Sequence, residues 1–302
     1  MKFKDGDLIP ATQYTLSYSN NVKVGTATIT VKGKGSNVTG TYKKTFVVKP
    51  AKNAIKSITA GVGSFKLTWT KATAGATGYQ VLYSTDKNFE SNVHSYTSTD
   101  LNDLSENFSK MPNEGETWYM KVRSFVTKDG KVTSTRYGNY SAVKSVNIPY
   151  GEKKLKEIMI NSTSQKMTDW FYGDFDGDGD KEAFAGFSEI YYVVGLRFID
   201  SNGKITELSG LIGKGSVNVI DFKGKKFITV YYGAYQVWRY RTLVFGVKND
   251  MLYELEISNK ISDLYIRNGV PYTHEYTVRD MLDFDEKERK LGYDSNNQEF
   301  IY

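Results

Sequence analysis

One stretch of the chain carries residues whose types and spacing suit metal chemistry: Asp174-Phe175-Asp176-Gly177-Asp178-Gly179-Asp180-Lys181-Glu182. Carboxylates fall at relative positions 1, 3, 5, 7 and 9, with glycines at 4 and 6. A loop this rich in oxygen suits a hard cation, which takes about six to eight oxygen ligands at roughly 2.3–2.6 Å. Alternate residues of a tightly curled loop point inward, so Asp174, Asp176 and Asp178 converge on one ion. Gly179 sits where such a loop turns sharply. Asp180 then offers its backbone carbonyl, and Glu182 a closing carboxylate or a bridged water. Calcium is the expected ion. The competing reading is an acidic surface turn that binds nothing, but four aspartates within seven residues repel one another unless a cation or solvent neutralises them.

An EF-hand fits this stretch poorly. That loop needs a bidentate Glu at position 12, and here the place falls in apolar Phe184-Ala185-Gly186. The loop instead runs into Ala183-Phe184-Ala185-Gly186-Phe187, which reads as a strand. The pattern D-x-D-x-D-G-x-x-[DE] feeding a strand resembles the calcium loops of integrin-alpha-like FG-GAP or VCBS repeats, over about fifteen residues. Asp283-Phe284-Asp285-Glu286 echoes the start of the loop without its glycines or third aspartate.

Other chemistry is sparse. Neither of the two histidines, His94 and His274, lies in a metalloprotease motif, and no nucleophile elbow or phosphate loop is present. Both histidines read as strand surface. The acids of the C-terminal half offer many carboxylate pairs and no means of choosing a glycosidase pair among them. The chain is therefore expected not to be an enzyme. Tyr231, Tyr232, Tyr235, Trp238 and Tyr240 form the best aromatic candidate for recognition, because such rings join a flat apolar face to a polar tip. Within it Tyr235, Trp238 and Tyr240 are the expected ligand contacts. Trp238 and Tyr240 share one strand face, Arg239 and Arg241 the other, and the plainer reading puts one face in the core.

The elements that position these residues are strands. Twenty-three tyrosines, with abundant Thr, Val and Gly, favour an all-β chain. With no cysteine, disulfides and thiolate zinc sites are excluded. No apolar run reaches the eighteen or so residues a membrane span needs, and no basic segment followed by an apolar stretch opens the chain. The net charge of +6 is uneven: residues 1–150 hold 20 Lys and Arg against 10 Asp and Glu, and residues 151–302 hold 20 against 24. The basic half has its lysines scattered over polar strand faces, so solvated surface explains them and nucleic acid is not an expected partner.

In chain order, residues 1–50 alternate at period two between Asn and Gly punctuation: Tyr14–Tyr18, Ala27–Val31 and Thr45–Val48. This run resembles the C-terminal half of bacterial immunoglobulin-like surface modules. The resemblance implies strands upstream of Tyr14, so the module reads as truncated, with Met1 not the natural start and a leader missing for that reason. Pro50-Ala51-Lys52-Asn53 reads as a linker. Residues 51–150 alternate again, with Phe65, Leu67 and Trp69, then Tyr79, Val81 and Tyr83, then Trp118, Met120 and Val122 facing one way. That pattern predicts a two-sheet sandwich with Trp69 in its core. Leu67-Thr68-Trp69, Gly78–Ser84, Trp118–Phe125 and Tyr140–Ile148 together resemble a fibronectin type III domain. Trp118 stands where that family usually has a tyrosine bonded back to the chain, and residues 90–111 are hard to register.

Residues 151–302 open with a short amphipathic helix over 153–160 and continue as strands at 190–199, 204–208, 217–221, 226–232, 236–247 and 251–257. Hairpin turns are signalled at Ser201-Asn202-Gly203, Lys223-Gly224 and Lys248-Asn249-Asp250. Successive hairpins make a β-meander, the unit of a propeller blade, with about three blades' worth of chain. Residues 293–300 read as a closing hairpin and a natural end. The whole is expected to be a region of a bacterial extracellular or cell-surface protein, in which β-sandwich spacers present a calcium-stabilised C-terminal domain. Its expected partner is a glycan or a host or cell-surface protein. The alternative is an accessory region of a secreted hydrolase.

Overall fold

Period-two apolar patterning cut by Asn, Asp and Gly produces short antiparallel strands throughout the chain. The computed structural model describes residues 6–128, 131–189, 192–208, 214–233, 240–255, 263–280, 283–294, 296 and 299–301. Apart from one helix and a single 3-10 turn, the described regular structure is all strand, arranged in several antiparallel sheets with no closed barrel. The chain divides into two compact units, Met1–Ile148 and Pro149–Tyr302.

The first unit begins with β1 (Tyr14–Ser19), β2 (Gly25–Gly33) and β3 (Thr41–Val48), paired in that order. Leu16, Tyr18, Tyr42 and Phe46 are exposed, and of this sheet's residues only Ala27 is fully buried. Residues 50–53, which read as a linker, lie against the strands that follow. The Asn53 side chain is buried and donates to the Thr70 carbonyl at 2.9 Å, and the Ala51 carbonyl accepts from Ser124 Oγ at 3.5 Å.

A β-sandwich follows. One sheet holds β4 (Ile55–Gly61), β5 (Ser64–Trp69) and β8 (Ser105–Phe108) in that order. The other holds β6 (Gly78–Ser84), β7 (His94–Ser98), β9 (Thr117–Lys128) and β10 (Lys131–Tyr137) in the order β10-β9-β6-β7, with β11 (Lys144–Asn147) pairing further along β9. The inward set is the one the alternation picks out: Phe65, Leu67, Trp69, Tyr79, Val81, Trp118, Met120 and Val122 all lie in one core. Tyr83, expected with them, is only partly buried at its edge. Residues 90–111, ambiguous in sequence, supply β7 and β8. Trp118 has its indole N–H on Glu116 Oε2 at 3.0 Å, while Tyr79 supplies a hydroxyl bond to the backbone, donating to the Leu101 carbonyl at 3.2 Å.

The second unit opens with α1 (Glu152–Asn161), matching the expected helix, whose Leu155 and Met159 are buried. Two four-stranded meanders follow. The first is β12 (Lys166–Gly173), β13 (Glu182–Glu189), β14 (Tyr192–Ile199) and β15 (Ile205–Leu208). The second is β16 (Lys214–Phe222), β17 (Lys225–Gly233), β18 (Tyr240–Lys248) and β19 (Met251–Glu254). The unit ends with the sheet β20 (Tyr265–Arg267), β21 (Val270–Asp280) and β22 (Asp283–Lys290), then the hairpin β23 (Gly292–Asp294) and β24 (Glu299–Ile301).

Successive side chains of a strand point to opposite faces, and both meanders bury both faces. Ala183, Ala185 and Phe187 of β13 pack on Leu155 and Met159 of α1. Phe184, between them in sequence, packs with Ile228, Val230, Phe245 and Val247 of the second meander. Phe227 and Val244 of that meander face the other way, onto Leu255, Leu264, Leu291 and Phe300. The layers therefore run α1, first meander, second meander, C-terminal strands.

Candidate metal centre

The acidic loop joins β12 to β13 at the end of the first meander. Its aspartates fold the backbone onto themselves. Asp174 accepts from the amides of Gly177 at 2.6 Å and Gly179 at 3.1 Å, Asp176 from Asp178 at 3.2 Å, and Asp178 from Asp180 at 2.8 Å. Gly177 and Gly179 take φ of +83° and +100°, which glycine adopts without the clash a Cβ brings. Phe175 anchors the loop from below, buried between the meanders with its ring centroid 5.0 Å from that of Phe184.

Glu182, the first residue of β13, is the centre of the arrangement. It is fully buried, and Oε2 accepts from the Phe175 amide at 3.1 Å. Its second oxygen, Oε1, is buried with no hydrogen-bond partner. Asp174, Asp176 and Glu182 each bring a carboxylate oxygen within 4.8 Å of the others. Asp178 and Asp180 lie outside that close set. Burial first, and then the carboxylates of Asp176, Asp250 and Asp178, push the Glu182 carboxyl up to about 8. Burial and neighbouring aspartates also raise Asp178 and Asp180.

The structure adds a residue that the sequence hides. Asp250, in the β18–β19 turn, has its carboxylate outside the close set, but donates its backbone N–H to Asp176 Oδ2 at 3.3 Å. Its own Oδ1 is buried and unpartnered, and burial together with Asp178, Asp200, Asp176 and Asp180 pushes its carboxyl up to about 6. Two lysine ammonium groups that reach the loop are directed to its backbone. Lys225 Nζ donates to the Asp176 carbonyl at 3.3 Å and Lys226 Nζ to the Asp174 carbonyl at 3.4 Å. Lys248-Asn249-Asp250 carries an ordinary hairpin-turn signal, and only the stacking of two meanders brings it to the loop.

The donors are all oxygens, a set that suits Ca²⁺ or Mg²⁺ and not a thiolate- or imidazole-seeking metal. A buried carboxylate oxygen without a donor costs about 1–3 kcal/mol, and more when the group is charged. A cation between these groups removes that cost, so the residues fit the ion expected of them.

The remaining candidates fare differently. Tyr235 and Trp238 lie outside the described residues, and Tyr240 is placed only as the first residue of β18, opposite Gly233. Asp283–Glu286 belongs to strand β22, so the echo of the acidic loop is not a loop. His274 Nδ1 lies 2.8 Å from Asp263 Oδ2, and His94 Nε2 lies 2.8 Å from Asn92 Oδ1. No helix among the described residues is long and apolar enough to cross a membrane.

No protein-family model matches the chain, and no curated protein matches it. Solved structures give remote likenesses. The chicken CNTN1 FN1–FN3 domains are 12% identical with a TM-score of 0.28, over 76% of this chain and 72% of that one. An exo-1,5-alpha-L-arabinanase from a bovine ruminal metagenomic library is 11% identical with a TM-score of 0.27, over 81% and 94%. The Trypanosoma rangeli sialidase in complex with sialic acid is 10% identical with a TM-score of 0.22, over 95% and 55%. Likenesses at this level carry no argument about chemistry, which rests on the chain's own residues.

Proposed function

We propose that this chain is a non-catalytic region of an extracellular or cell-surface protein, in which a β-sandwich spacer adjoins a C-terminal domain held by one calcium ion. The observation that carries the calcium reading is Glu182 Oε1, buried and unpartnered beside the carboxylates of Asp174 and Asp176. The sandwich's sequence resembles a fibronectin type III domain, and the loop pattern resembles FG-GAP and VCBS repeats. Both resemblances support a surface location. A glycan or a cell-surface protein is the proposed partner, recognised by the aromatic segment around Trp238.

Calcium would bind these carboxylates only as the loop folds, so its binding free energy becomes folding free energy. Extracellular modules bind at about 10⁻⁴–10⁻³ M. A tenfold excess over the dissociation constant stabilises by about 1.4 kcal/mol, or roughly 3–6 °C for a unit of this size. Thermal unfolding of the full chain in 10 mM CaCl2 and in excess chelator tests this. The wild type should melt higher in calcium, and Asp176→Ala should lose the difference. An unchanged wild-type midpoint would sink the reading and leave the loop an acidic turn.

A further inference from the structure

We propose that Asp250 is the closing ligand of the Asp174–Asp176–Glu182 site, so that a single calcium ion ties the first meander of the C-terminal unit to the second. This rests on the calcium reading above and extends it from one loop to two sheets.

Three observations converge. The β18–β19 hairpin is fixed at the loop by the Asp250 N–H bond to Asp176 Oδ2 at 3.3 Å, so its side chain starts at the edge of the cluster. Two carboxylate oxygens are buried with no hydrogen-bond partner, Glu182 Oε1 inside the close set of three and Asp250 Oδ1 outside it, so the Asp250 side chain has to turn toward the set to reach an ion held there. Two lysines that reach the loop do not serve them, since Lys225 and Lys226 donate to the carbonyls of Asp176 and Asp174. Carboxyl groups facing each other across two packed sheets repel when both are ionised, and otherwise one of them must hold a proton. A divalent cation between them reverses the sign of that interaction.

The residue's position in its turn sharpens the argument. Asn249 and Asp250 take φ of +52° and +59°, the conformation of a two-residue hairpin turn whose second position glycine fills best. Local turn chemistry therefore favours glycine at 250, and a carboxylate there serves something other than the turn.

The test uses the full chain and CaCl2 alone, with Asp250→Asn and Asp250→Gly beside the wild type. Asparagine tolerates this backbone conformation and glycine prefers it, so neither variant should fail to fold. In chelator at pH 8, above the raised Asp250 value, both variants should melt above the wild type, because a carboxylate facing other acids is gone. In calcium both should melt below it, with affinity reduced about tenfold as a charged ligand is lost. Hydrogen exchange supplies the independent reading. Calcium should slow the amides of the loop at 174–182 and of the turn at 249–252 in the wild type, but only those of the loop in the variants. Variants that bind calcium as tightly as the wild type, or a wild type protected only at 174–182, would overturn the role of Asp250. A wild type that binds no calcium at all would overturn the underlying reading, a result distinguishable because no protein in the set would respond.

Discussion

Two carboxylates in this chain meet opposite fates, and the difference lies in their donors. Glu182 has one amide for two oxygens at full burial, and its carboxyl is driven up. Glu116 has three donors: the Asn113 side chain at 2.9 Å, the Asn113 amide at 3.0 Å and the Trp118 indole at 3.0 Å. The Asn113 side chain first, then its amide, hold the Glu116 carboxyl below its ordinary value, with the indole adding to them. Because the folded form prefers the ionised state, this contribution is present above the unfolded carboxylate value, about 4.3. It is lost as pH falls through the lower folded value. Calorimetry between pH 5 and pH 2 should show the sandwich unit losing stability, and Glu116→Gln should flatten that slope in part. Asp86, also held low by the amides of Asn88, Glu90 and Ser91, carries another share. Equal slopes in wild type and mutant would remove Glu116 from the account.

At the scale of elements, the acidic loop is shaped by conformation more than by contact. A Cβ added at Gly177 or Gly179 meets no atom within 4 Å, so alanine there has room but the wrong backbone preference. Gly179→Ala should therefore cost about 1–2 kcal/mol, the penalty for an L-residue in left-handed space. It should also weaken calcium binding, since the aspartates depend on the curl of the loop. A Gly179→Ala protein as stable as wild type would show that the loop relaxes freely. The loop, the sandwich core and the hairpin turns were legible in sequence because each is written in local spacing: Asp at alternate positions, Phe65-Leu67-Trp69 at period two, Asn-Gly and Lys-Gly at turns. Asp250 was not legible, because its meaning depends on one meander stacking on another. Nothing within a strand-length window encodes that register. The same holds for Ala183, Phe184 and Ala185, where a run apolar on both faces announces a buried strand without naming its two neighbours.

At the scale of the whole molecule, the buried clusters among the described residues fall into two sets. The sandwich core runs from Ile55 to Ile148. The three remaining clusters draw only on residues from Tyr150 onward. A cation at Asp174, Asp176, Glu182 and Asp250 touches just the second set, so its linkage energy should enter one unfolding transition and leave the other unmoved. Scanning calorimetry of the full chain should resolve two transitions, with calcium raising the one that belongs to residues 149–302. Trp69→Ala, which empties a fully buried site, should cost about 3–5 kcal/mol and lower only the other. Coincident shifts under both perturbations would mean that the units unfold as one cooperative body, and a calcium ion in one would then stabilise the spacer as well. Separate shifts would make the ion a local device, able to order the C-terminal unit wherever free calcium is high while the sandwich stays folded regardless.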